Sequence, residues 1–140
     1  MKAFVDIFRD LDNAKTEEQK VEILRSNKSP ALLDILRYGF HPNGELFTTE
    51  IPSYTKDPTP DGLAFTTMYS EVKRLYTLRK DFNLPETRKN EILIQMLEAL
   101  GSEAPILEQI VNRKFTSINR ETVDNAFPGL IERTETRVAV

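Results

Sequence analysis

The chain has no cysteine. That excludes disulfides, zinc–cysteine centres and thiol chemistry, and is compatible with a reducing compartment. There is one histidine, His41, so no His-x-x-x-His pair can hold zinc. Placed beside Pro42 in a turn, it reads as a surface residue rather than a catalyst. The five glycines are too scattered to build a phosphate-cradling loop, and no calcium-loop pattern is present. No apolar run has the length needed to span a bilayer. The opening MKAFVDIFRDLDNA breaks its apolar face with acids, unlike a signal peptide. These absences set the expectations: no metal, no cofactor, no small-molecule substrate, no catalytic residue, no membrane partner and a cytoplasmic location (the host cytoplasm for a phage-encoded chain).

What remains is an ordinary globular composition. With 140 residues, 39% of them hydrophobic and 29% charged, the chain can bury one real core. The expected division is a helical domain over 1–131 and a tail, ERTETRVAV, over 132–140. The net charge of −3 and pI near 5.3 weigh against a free-standing nucleic-acid binder. The charge is uneven, however. Lys73, Arg74, Arg79, Lys80, Arg88 and Lys89 meet only Asp81 and Glu86 between 73 and 89, and Arg113, Lys114 and Arg120 form a second cluster. Acids gather at Asp6, Asp10, Asp12, Glu17, Glu18 and Glu22. A basic face on an acidic protein fits phosphate binding and equally fits solvated helix surfaces.

The periodicity is helical throughout, and no segment alternates as a strand does. Phe4, Ile7, Phe8 and Leu11 mark a first amphipathic helix. Thr16-Glu17-Glu18-Gln19 is a capping box opening a second. Ser29-Pro30 caps a third, which carries Leu32, Leu33, Ile35, Leu36 and Phe40. His41-Pro42-Asn43-Gly44-Glu45 is a turn. Residues 48–62, with three prolines, read as a surface loop or extended arm. A fourth helix is expected over 61–80, with Phe65, Met68, Tyr69, Val72, Leu75 and Tyr76 on one face. Pro85-Glu86 opens a fifth, ended by Gly101-Ser102. A further helix carries Ile106, Leu107, Ile110 and Val111, and Asn119 caps a short last one. The fold class is all-α.

Two stretches echo each other. In PALLDILRYGF (30–40) and PILEQIVNRKF (105–115), an offset of 75 pairs Pro30 with Pro105, Leu32 with Leu107, Ile35 with Ile110, Leu36 with Val111 and Phe40 with Phe115. Either two amphipathic helices align by chance, or the chain holds a pseudo-twofold pair of helical hairpins. The second reading places both following turns on one side of the molecule. Two such turns would suit the two phosphate walls of a duplex minor groove, because phosphates favour exposed amides and short polar donors. Lys114, Thr116, Ser117, Asn119 and Arg120 supply donors in the second turn. His41, Asn43 and Gly44 supply fewer in the first. The residues alone favour the plainer reading, in which Asn119 only caps a helix and the others are solvated.

Three stretches carry a likeness to a known family: TEEQKVEILRSNKSPALLDILRYGF, APILEQIVNRKF and NRETVDNAFPGLI. In their order and spacing the chain resembles the amino-terminal DNA-binding domain of ATP-dependent DNA ligases, particularly the phage type, over residues 3–131. The resemblance implies an all-helical pseudo-twofold domain that grips duplex DNA through minor-groove backbone contacts without reading sequence. The departures are definite. Thr116-Ser117-Ile118 stands where the family carries a glycine before its cap, and the chain is acidic where the family is basic. The Lys-x-Asp-Gly motif of nucleotidyl transfer is absent; Asp61-Gly62 follows Pro60 and has no lysine nucleophile. The expectation is therefore a non-catalytic binder of duplex DNA. Lys114, Thr116, Ser117, Asn119 and Arg120 would contact the backbone, and Lys73, Arg74, Arg79 and Lys80 would add attraction. The alternative is a protein-interaction module, an accessory or inhibitor in phage replication, transcription or host takeover, docking partners through the 48–62 loop.

Overall fold

The computed structural model of the chain describes residues 2–41, 44–56, 64 and 66–131. The architecture is all-α, as the periodicity indicates. In order come α1 (Phe4–Asn13), α2 (Glu17–Ser26), α3 (Pro30–Phe40), the single-turn α4 (Met68–Glu71), a 3-10 helix (Val72–Leu78), α5 (Glu86–Leu100), a 3-10 turn (Gly101–Glu103), α6 (Ala104–Asn112) and α7 (Arg120–Ala126). Among the described residues the only extended pairing is an isolated antiparallel bridge between Leu46 and Arg79.

Local chemistry sets most helix ends. Ser29 accepts the Leu32 N–H at 3.1 Å, with Pro30 in the first turn, so α3 begins there. Asn119 accepts the Thr122 N–H at 2.9 Å and starts α7. At α2, Thr16 accepts the Gln19 N–H as expected, but the Gln19 side chain accepts from the Lys15 N–H at 2.7 Å. The reciprocal bond of the capping box thus lands one residue earlier, holding the incoming chain instead of the cap. Glu103 does unusual capping duty. It is buried, and its two carboxylate oxygens accept the Val5 N–H (3.2 Å) and the Met68 N–H (2.9 Å). One acid in the 3-10 turn thereby pins the first turns of α1 and α4.

The expected fourth helix is corrected by the structure. Residues 61–63 and 65 lie outside the described residues, and regular structure starts only at Met68. After one α turn the chain tightens into seven residues of 3-10 helix. The reason lies in the apolar spacing. Val72, Leu75 and Leu78 are buried and recur every three residues, which is the 3-10 repeat. Tyr76 therefore leaves the buried face to which an α-helical reading assigns it, and is 52% exposed.

The core is built from α1, α3, α5 and α6, with Phe4, Ile7, Leu36, Leu93, Leu97 and Leu107 fully or almost fully enclosed. The two echoed helices, α3 and α6, pack on each other, and Phe40 stacks on Phe115 at 5.0 Å, with Phe8 on the same ring at 5.9 Å. The two halves do not pack identically. α5 lies along α6, whereas α2 rests mainly on α1 and α7. The segments that follow α3 and α6 cross over. From the first, Tyr54 donates to Glu108 of α6 and the Thr55 N–H to Glu98 of α5 at 3.0 Å. From the second, α7 lies on α2, where Arg25 donates to the Asn125 and Ala126 carbonyls at 2.8 and 3.1 Å. The 48–62 arm is thus fastened over its described part, 48–56; its remainder and the 132–140 tail lie outside the described residues.

Candidate nucleic-acid interface

The turns after α3 and α6 meet. Gly44 has a left-handed backbone (φ 64°), and a Cβ placed on it would sit 3.1 Å from the Arg113 guanidinium. The missing side chain is the space Arg113 occupies. A groove of about 400 Å³ runs between the turns, with Tyr38, Glu45, Lys80, Ile110 and Arg113 among its lining. Its first wall is held by the backbone bonds from Phe47 N–H to Leu78 (2.8 Å) and from Lys80 N–H to Glu45 (2.9 Å).

Arg113 ends α6. It is the only non-glycine residue with positive φ (59°) among the described residues. Its N–H bonds the Ile110 carbonyl at 3.3 Å, and the next N–H, of Lys114, reaches back to Gln109 at 3.1 Å. This is a Schellman closure with arginine at the position that usually holds glycine. Its Nε is buried without a hydrogen-bond partner, and no carboxylate pairs with it among the described residues. Sequence reasoning left Arg113 outside the site. The readable signal was a helix pattern that closes with no glycine or asparagine after Asn112.

The structure sorts the anticipated donors. On the second turn Lys114, Thr116 and Asn119 are exposed. Ser117 is 5% exposed and donates its hydroxyl to Asp12 of α1, so it anchors the turn from below. Arg120 stands 3.5 Å from Asp124. In the other cluster Lys73 is exposed, Arg74 pairs with the buried Glu71 at 3.1 Å, and Lys80 reaches the groove. Arg79 donates to Glu45 at 2.7 Å and to Asp81 at 3.0 Å. The Asp81 hydrogen bond raises the guanidinium pKa, and the same contact holds the Asp81 carboxyl below its usual range. Burial raises the Tyr38 phenol, opposed by the adjacent Arg79. The structure therefore brings Lys80 to Arg113, next to Lys114, and turns Arg79 inward as a brace.

His41 is a correction. It is 1% exposed, not a surface residue, because it is the C-cap of α3 and its ring turns inward, with Nε2 3.7 Å from Glu45. Pro42 and Asn43 lie outside the described residues. Among the described residues no group of three or more His, Asp or Glu is placed to hold a metal ion, and no helix is long and apolar enough to cross a membrane.

No curated protein and no solved structure matches the chain. A family match covers residues 7–117, which takes in both echoed helices, both turns as far as Ser117, and two of the three ligase-like stretches, leaving 119–131 outside. With most of its length matched, the chain belongs to a family of unknown function, DUF6433.

Proposed function

We propose that the two-turn face binds the phosphate backbone of duplex DNA without reading its sequence, and that the chain does no chemistry on it. The observation that carries this is Arg113. A left-handed arginine costs about 1 kcal/mol relative to glycine, and its charge has no acid partner among the described residues. Strain kept at a cationic surface position is a pointer to a ligand. Arg113 faces the same groove as Lys80, and exposed Lys114, Thr116 and Asn119 follow it along the turn. These donors and Lys73 would meet phosphates, and Arg120, 3.5 Å from Asp124, would add positive charge at the start of α7. Arg74, Arg79 and Ser117, engaged within the chain, would shape the face. The likeness to the ligase DNA-binding domain supports the same reading.

The test is binding to a labelled duplex, nicked and intact, across a salt series. Affinity should fall steeply with salt and drop at least about 10-fold in Lys114→Glu/Arg120→Glu. Arg113→Gly separates function from fold: it should raise thermal stability by about 1 kcal/mol while weakening binding. No binding at low salt overturns the proposal. The second reading, a protein-interaction module in phage replication, transcription or host takeover, is favoured by one observation. Arg74 and Arg79 are neutralised inside the chain, which lowers the attraction a polyanion would feel. Capture of a defined protein partner, lost on mutation of Arg113 or Lys114, would establish it.

A further inference from the structure

Tyr76 is the one large hydrophobic residue that stands exposed among the described residues. The backbone that carries it is tied down. The Arg79 N–H bonds the Tyr76 carbonyl at 3.2 Å, and the Phe82 N–H bonds the Arg79 carbonyl at 3.1 Å. These two consecutive turns fold Phe82 back so that its ring meets Tyr76 edge-to-face, 5.2 Å away at 78°. The 3-10 winding places Lys73 one turn before Tyr76 on the same face. Lys80 belongs to the returning turn and also lines the groove beside Arg113. From Val72 to Lys80 the chain carries four cations and no acid, in a protein of net charge −3. An aromatic surface braced by a second ring and bordered by cations suits a ligand that is flat on one side and anionic on the other.

We propose that Tyr76 is a stacking platform for an unpaired nucleobase, with Lys73 and Lys80 holding the adjoining phosphates, so that the protein favours duplex ends carrying a single-stranded overhang. The inference rests on the nucleic-acid reading above and extends it from backbone contact to a base contact. Stacking on an aromatic side chain is tolerant of sequence, because every base offers a π-face. The preference is therefore for single-strandedness and not for a particular base. A duplex held in the groove at Lys80 would deliver its overhang to Tyr76 through the same lysine.

The experiment compares a blunt labelled hairpin duplex with the same hairpin extended by four unpaired nucleotides, one of them 2-aminopurine. The proteins are the wild type, Tyr76→Ala and Tyr76→Phe, each verified as folded by circular dichroism. The wild type should bind the overhang about 5- to 100-fold more tightly than the blunt duplex. Tyr76→Ala should erase that margin, Tyr76→Phe should keep it, and 2-aminopurine fluorescence should be quenched in the wild-type complex. Equal wild-type affinity for both hairpins, or an equal loss on both in Tyr76→Ala, overturns the platform and leaves the duplex reading standing. Failure to bind either hairpin overturns both. An acidic peptide that binds in place of the overhang, and loses affinity in Tyr76→Ala, overturns the platform by reassigning this surface to a protein partner.

Discussion

The turns after α3 and α6 follow the same sequence pattern and meet different fates. α3 runs on to Phe40. α6 stops at Asn112, three positions short of the matching Phe115, because Arg113 turns left-handed. The described residues of the first turn face inward, with His41 buried and Glu45 held by Arg79. The second is outward-looking, with Lys114, Thr116 and Asn119 in solvent over a base anchored by Ser117 and Asp12. One early helix termination separates a structural turn from a candidate binding turn. The matched phenylalanines nevertheless meet at a single seam, so the halves share a core while their turns diverge.

The strongest way to break the comparison is to remove the seam. Phe115 touches both Phe40 and Phe8, and Phe115→Ala should cost about 2–4 kcal/mol, toward the lower end for a ring only partly enclosed. Urea denaturation should show the loss. Retention of wild-type stability would mean that the stack contributes little and that α3 and α6 are held elsewhere.

A smaller change sharpens it. At the 75-residue offset the counterpart of Gly39 is Lys114. A Cβ on Gly39 would come within 2.3 Å of the Phe115 ring, and that ring is held by its neighbours. The first copy therefore needs glycine, while the second presents an exposed lysine. Gly39→Ala in an ordinary helix would stabilise by up to about 1 kcal/mol. Here overpacking of about 1–3 kcal/mol should win, for a net loss near 1 kcal/mol by denaturation. Added to Phe115→Leu, the alanine should cost nothing further, and an additional loss of stability relative to Phe115→Leu alone would sink the steric account.

The sequence made much of this legible. Apolar spacing located the helical segments, and Ser29, Thr16 and Asn119 marked starts that the backbone confirms. The echo identified the pair of helices that pack together. Besides Arg113, three features escaped it, each for a tertiary reason. The segment Val72–Leu78 reads as α or 3-10 because its apolar residues fit both periods until the core selects the period of three. His41 looked solvated, since nothing local shows that a turn will face inward. The cations of the 73–80 cluster looked equivalent, yet Glu45, 34 residues before Arg79 in the chain, takes that arginine into a brace. Charge clusters show where cations lie in sequence; only the fold shows which remain available.

The smallest effect concerns the crossing segments. Tyr54 fastens the segment after α3 to the opposite half through Glu108. Burial, then the hydrogen bond to the Glu108 carboxylate, raises the phenol pKa well above its ordinary 10.0. The folded state thus keeps this proton at pH values where the unfolded chain has lost it. The sign follows from proton counting. Below pH 10 both states hold the proton and the contribution is fully present. Above pH 10 the unfolded state gains by ionising, so stability falls as pH rises toward the raised value. Tyr54→Phe should cost about 1 kcal/mol at neutral pH and should flatten the part of the alkaline decline that Tyr54 causes. Thermal denaturation of both proteins between pH 8 and 11 reads this directly. Parallel curves would show that the Tyr54 bond is not what holds the first crossing segment in place. That role would then pass to the Thr55 N–H on Glu98, a second polar tie of this segment, made to α5.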